Sequence, residues 1–270
     1  MSKETTTHRT GLVVGLPLCG RPVMPEWAIA FASLNYPANM NLSISALKGI
    51  EVGQARCQIA EHALKLGAKY LFFLDDDTAP PYYAARRLIY DLEQADAKTM
   101  VAAGIYANKY SYPAEPMVFK EDGEGPFWKW KVGEVFECGG IGTGCMVIKT
   151  EVFQHLEKPW FKTVNEVHDN GHLRKIEMTD DLYFCKKVRE AGFKLLADGG
   201  VLCIHWDVLG CACGHTQLSH NQAEVHHPCL VQQCTCLTYQ MAGRHYVLPE
   251  DSYPMRPNPV ETPEPVSLEV

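Results

Sequence analysis

At 270 residues and 46% hydrophobic content the chain has the ordinary composition of a soluble globular protein, enough for one large α/β domain and an appendage. A formal net charge of −7 excludes a general electrostatic pull toward nucleic acid or anionic lipid, though not a local basic groove. Met1–Thr10 is polar and lacks the apolar core of a signal peptide, and no apolar run approaches the length of a membrane span, so a cytoplasmic enzyme is expected.

Gly11 to Pro17 reads as a first strand, stopped by Pro17 and the Cys19-Gly20-Arg21-Pro22 loop. Trp27 to Leu34 has helical character, and Leu42-Ser43-Ile44-Ser45 alternates like a second strand. Gln54 to Leu66 is a helix with Ile59, Ala63 and Leu66 on one face and Gly67 as its stop. Tyr70-Leu71-Phe72-Phe73-Leu74 is a continuous apolar run, the mark of a strand buried on both faces in a parallel sheet. A helix from about Pro81 to Ala95 and a strand from Met100 to Ile105 follow. Between Tyr106 and Glu137 periodicity is lost, as in a functional loop or lid, although Trp128 and Trp130 alternate like a half-buried strand or a stacking pair. Gly142-Thr143-Gly144 enters a strand over Cys145–Ile148, and Thr150 caps a short helix, Glu151 to Leu156. Thr179-Asp180-Asp181 opens a helix from Leu182 to Ala191, and Lys194–Leu196 and Val201–His205 are the last strands. Strands alternating with helices over this length argue for a mostly parallel sheet.

The most informative feature is Asp75-Asp76-Asp77, which ends the buried strand where open α/β sheets place ligands. Three adjacent carboxylates each raise the cost of ionising the others, and a divalent cation removes that cost. Hard oxygen ligands suit Mg²⁺ or Mn²⁺, ions that commonly carry nucleotide phosphates. The competing assignment is that Asp77-Thr78 caps the following helix. Asp180 and Asp181 divide the same way, between catalysis and favourable placement in a helix first turn. Arg56, near its helix start, is placed either to meet a diphosphate or as an ordinary surface residue. His205 is either a metal ligand or a satisfied strand-end histidine. Gly142 and Gly144 allow close approach of a ligand or simply make a tight turn.

Eleven cysteines are present. Cys19, Cys57, Cys138, Cys145 and Cys185 read as buried thiols. Cys211, Cys213, His215, Cys229, Cys234 and Cys236 form a soft-ligand cluster that could hold structural Zn²⁺, or stand as unliganded thiols, since C-x-C replaces the common C-x₂-C.

In order, the strand ending in Pro17, the Arg56-bearing helix, Leu74-Asp75-Asp76-Asp77, Gly142-Thr143-Gly144-Cys145-Met146, Thr179-Asp180-Asp181-Leu182 and His205 resemble a GT-A glycosyltransferase of the family 2-like kind. The resemblance spans roughly Gly11 to Asp207. It implies an α/β fold of the nucleotide-diphospho-sugar transferase type, with a mostly parallel central sheet flanked by helices. It also implies a nucleotide-diphosphate sugar donor and Mn²⁺ or Mg²⁺. Asp75 and Asp77 match the D-x-D motif and His205 the C-terminal metal ligand. Pro17, Arg56, Asp76 and Gly142-Thr143-Gly144 fall around the donor, and Asp181, with Asp180 beside it, matches the base of inverting enzymes. The family has Glu where Asp180 stands.

The expected organisation is a flexible N-terminus (1–10), a glycosyltransferase domain (11–208), an irregular Cys/His-rich extension (209–248) and a Pro/Glu-rich tail (249–270). The acceptor is left among glycans, protein side chains and modified nucleic-acid bases. A nucleotidyltransferase using the same metal site and a zinc-stapled, non-catalytic binding protein are the rivals. A Rossmann dehydrogenase is disfavoured, because Leu16-Pro17-Leu18-Cys19-Gly20 lacks G-x-G-x-x-G.

Overall fold

The computed structural model describes residues 11–20, 22–108, 114–121, 124–167, 173–210 and 242–246. The chain runs β1 (Leu12–Leu18), α1 (Pro25–Ala32), β2 (Leu42–Lys48), α2 (Val52–Lys65), β3 (Tyr70–Leu74), β4 (Thr78–Ala79), α3 (Ala84–Gln94) and β5 (Thr99–Ile105). Short strands β6 (Val118–Phe119), β7 (Val135–Cys138) and β8 (Gly140–Ile141) precede β9 (Cys145–Lys149). A 3-10 turn, Thr150–Gln154, leads to β10 (Val164–Val167), β11 (Leu173–Met178), α4 (Asp180–Glu190), β12 (Lys194–Leu202), β13 (Ile204–Gly210) and β14 (Ala242–Tyr246).

Seven strands form the central sheet in the order β2-β1-β3-β9-β5-β12-β7. β1 pairs parallel with β2 and β3, and β12 pairs parallel with β5, whereas β9 and β7 run against their neighbours. Five strands therefore point one way, and the expected α/β class with a mostly parallel sheet is the one observed. Every residue of β3 and β5 is buried, as a strand covered on both faces requires. The apolar cores on the two faces have different partners. One gathers Ile59, Ala60 and Ala63 of α2 with Phe184 and Val188 of α4. The other gathers Trp27 of α1 with Leu88, Ile89 and Leu92 of α3.

Several local expectations need correction. The alternation around Trp128 and Trp130 makes no strand; Trp130 is buried, its indole N–H donating to the Phe127 carbonyl at 3.1 Å, and Trp128 is exposed. The short helix after Thr150 is a 3-10 turn, and the Thr150 hydroxyl donates to the Ala68 carbonyl rather than capping. β12 is one strand to Leu202, and β13 continues past His205 to Gly210. Cys19 is exposed, because it lies just beyond the end of β1.

Residues 1–10, 211–241 and 247–270 lie outside the described residues, and with them the candidate zinc ligands Cys211, Cys213, His215, Cys229, Cys234 and Cys236. The chain is back in the described structure at β14, which pairs antiparallel with β13 so that Gly210 faces Ala242. β13 also pairs with β4, setting His205 opposite Thr78.

Candidate active site

The three acids follow β3 at its carboxyl end, and the backbone around them is pinned. The Asp75 N–H donates to the Gly144 carbonyl at 3.1 Å, and the Thr78 N–H to the Asp75 carbonyl at 3.2 Å. The Trp27 indole donates to that same Asp75 carbonyl at 2.7 Å. With its backbone held, each carboxylate goes a separate way.

Asp75 turns inward. Both its oxygens lie 2.7 Å from Nη2 of Arg56, whose Nη1 donates to Asp180 at the start of α4. Arg56 shares the buried face of α2 with Ile59, Ala60 and Ala63 and is 4% exposed, so one guanidinium ties both acid clusters together. Gly53, one turn earlier, makes the approach of α2 to α4 close: a Cβ there would stand 3.2 Å from the Asp180 Cβ. Burial alone would lower the Arg56 pKa, but Asp75, Asp180 and Asp181 together raise it above its usual value. Burial raises Asp75 above the usual carboxylate range, with Arg56 pulling it back down.

Asp76 accepts from the N–H and the thiol of Cys19, each at 2.9 Å. This fastens the acid loop to the end of β1. Asp75, Asp76 and Asp77 join Pro17, Leu18 and Cys19 around a cleft of about 460 Å³. Gly49 and Ile50 of the β2–α2 connection and Val52 and Ala55 of α2 add apolar lining to the acidic one.

Asp77 meets His205, brought beside it by the β13–β4 pairing. The ring Nδ1 stands 2.8 Å from the Ala107 carbonyl, which can only accept, so Nδ1 carries the proton there. Nε2 faces Oδ1 of Asp77 at 3.4 Å. A histidine whose second nitrogen is held by a backbone carbonyl is the arrangement metal-ligating imidazoles use. Among the described residues no set of three or more His, Cys, Asp or Glu side chains gathers for a metal. Asp77 and His205 are, among the described residues, a facing pair that could hold a cation. That fits Mg²⁺-like ions, which keep waters and substrate phosphates in the remaining positions.

Asp181 is buried at the start of α4. Its Oδ1 accepts from the Leu182 N–H at 2.8 Å and from the Thr179 hydroxyl, so part of its role is to satisfy the helix N-terminus. Oδ2 makes no hydrogen bond among the described residues. Burial raises the Asp181 pKa above the usual range, and the neighbouring Asp180 raises it further.

Tyr106 was not singled out from the sequence and lies at the centre of this arrangement. Its ring meets the His205 ring edge-on at 4.9 Å, and its hydroxyl accepts from the Gly144 N–H at 3.1 Å. Burial raises its pKa well above the usual value, with Asp181 and Asp75 adding to the shift. The space left by Gly142 and Gly144 belongs to this ring: a Cβ on Gly142 would stand 2.0 Å from the Tyr106 hydroxyl oxygen. Thr143 is buried, and its hydroxyl has no hydrogen-bond partner among the described residues. Cys19, Trp27 and Tyr106 reach the acids through long-range contacts, for which local sequence carries no signal.

No protein-family model and no curated protein sequence matches the chain. Its structure is similar to the crystal structure of A197 from STIV, with a TM-score of 0.51 and 17% identity over 73% of this chain and 85% of that one. It is also similar to a crystal structure of GalNAc-T7 with UDP, GalNAc and Mn²⁺, with a TM-score of 0.46 and 13% identity over 72% of this chain and 43% of that one. The likeness to A197 is one of fold. No helix among the described residues is long and apolar enough to cross a membrane.

Proposed function

We propose that the chain is a metal-dependent, inverting glycosyltransferase that moves a sugar from a nucleoside-diphosphate donor to an acceptor hydroxyl. The observation that carries this reading is the His205 ring. Its Nδ1 is committed to a backbone carbonyl and its Nε2 is aimed at Asp77, which lines the acid-walled cleft at the end of β3. Two protein ligands leave a cation open to diphosphate oxygens, as a nucleotide-sugar site needs.

In this reading Asp77 and His205 hold Mn²⁺ or Mg²⁺, which when bound neutralises the charge of the leaving diphosphate. Pro17, Cys19 and Asp76 border the donor cleft. Arg56 keeps Asp75 and Asp180 in register across the two acid clusters. Asp181 is the base. The acceptor oxygen attacks the anomeric carbon, the bond to the diphosphate oxygen breaks, and the hydroxyl proton passes to Oδ2 of Asp181. A carboxylate made more basic by burial is suited to that transfer.

The test is thermal stability with UDP- and GDP-sugars in the presence and absence of Mn²⁺, since a ligand that binds the native state raises the apparent Tm. A Mn²⁺-dependent rise with one nucleotide family, lost in Asp77→Ala and in His205→Ala, is expected. A rise of equal size in both variants, or one indifferent to Mn²⁺, removes the metal assignment.

A further inference from the structure

The outward face of an amphipathic helix is ordinarily charged. On α3 it carries the charged Arg86 and Glu93 but also Tyr90, with Tyr82 just before the helix. Tyr82, in the turn entering the helix, Arg86 and Tyr90 follow at four-residue spacing and so stand in one row, and the two tyrosines are 58% and 60% exposed. A second row, Tyr83, Arg87 and Asp91, lies beside it at the same spacing. With Val135 of the edge strand β7, these side chains line a cavity of about 820 Å³ that shares no residue with the lining of the acid cleft.

The inner row is fixed in place. The Tyr83 hydroxyl donates to the Gly200 carbonyl at 3.0 Å, and its ring meets that of Tyr82 edge-on at 5.1 Å. Arg87 forks onto the fully buried Asp198, through Nη2 to Oδ1 at 2.9 Å and through Nε to Oδ2. It lies so close to the chain that a Cβ on Gly200 would stand 2.4 Å from Nη2. Arg86, in the outer row, makes no ion pair among the described residues.

Two arginines face two carboxylates here; burial and the neighbouring Asp198 push the Asp91 pKa up to about 7, so above that pH, with all four ionised, the cavity is neutral, inside a chain of net charge −7. A polyanion finds no attracting field. What the cavity offers is aromatic faces, phenol hydroxyls, a guanidinium without an ion-pair partner and a carboxylate. A sugar ring matches that set: its C–H face packs on an aromatic ring, and the hydroxyls at its rim both donate and accept.

We propose that this cavity is a binding site for a neutral oligosaccharide, with sugar faces on Tyr82 and Tyr90 and hydroxyls bonded to Arg86 and Asp91. Tyr82 and Tyr90 are eight residues apart, about 12 Å at the helical rise and longer than one pyranose, so the ligand is a chain of sugars and not a monosaccharide. The site does not depend on the transfer chemistry proposed for the acid cleft.

Affinity electrophoresis of the full chain at pH 8, in native gels cast with amylopectin, galactomannan, mixed-linkage β-glucan or xylan, tests it. Retardation by at least one polysaccharide is expected. Tyr82→Ala and Tyr90→Ala should each weaken it about tenfold, which is ~1.4 kcal/mol, with Tm unchanged because both side chains are exposed. Retardation by none of the four polymers overturns the proposal, as does retardation that persists in the double variant. Tyrosine-dependent binding of a labelled oligothymidylate, without retardation by any polysaccharide, would assign the cavity to nucleic acid instead.

Discussion

Replacing Arg56 by Met keeps most of the aliphatic volume of a buried side chain and removes the charge that joins Asp75 to Asp180. At ~4 Å and an effective dielectric of 20, each arginine–carboxylate contact is worth about 4 kcal/mol of Coulomb energy. Against this stands the desolvation that Met no longer suffers, so the net loss for a broken buried pair is about 3–5 kcal/mol. The loss should depend on pH. Asp75 already has a folded pKa above its unfolded value, because of burial, and Arg56 opposes that shift. Without Arg56 the shift grows. A carboxyl raised in this sense favours the folded state while protonated, and its penalty develops as pH rises from the unfolded value toward the folded one. Urea unfolding of Arg56→Met should therefore show the full deficit at pH 8 and a smaller one near pH 5. A deficit under about 1 kcal/mol at pH 8, the worth of a solvent-screened pair, would refute the tie. So would one that does not change with pH.

Asp181→Asn should leave donor binding intact and slow transfer by a factor on the order of 10² or more; near-normal turnover would move the base role to Asp180. In the unaltered enzyme, transfer should fall with acid as Asp181 takes up its proton, with a midpoint above the ordinary aspartate value because burial raises it. A midpoint near ~4, the unperturbed value, contradicts the assignment. Gly142→Ala drives a methyl into the Tyr106 hydroxyl and should cost about 2–3 kcal/mol in urea unfolding. An unchanged midpoint would mean that Tyr106 moves freely, and its placement against His205 would lose its support.

The strand and its acids were legible because the signal is local. Tyr70 to Leu74 is buried at every position, and its apolar continuity can be read without knowing a single partner. Arg56 was legible in part. It lies three and seven residues before Ile59 and Ala63, on the helix stripe that the core claims, so its burial could have been read from spacing alone. Its partners could not, since Asp180 arrives from the far end of the domain. Tyr106 shows the limit: flanked by a segment without periodicity, it is defined by two glycines and a histidine distant in sequence. The Trp128–Trp130 alternation misled for the converse reason, because a period of two makes a strand only where a neighbouring strand exists to pair with it.

The facing of Gly210 and Ala242 across the β13–β14 ladder has an architectural consequence. Residues 211–241 leave and rejoin the fold at one rung, on the strand that carries His205. The entropy of closing such a loop grows only with the logarithm of its length. The rung is therefore a splice point, where stretches of different length and chemistry can be exchanged at little cost to the sheet.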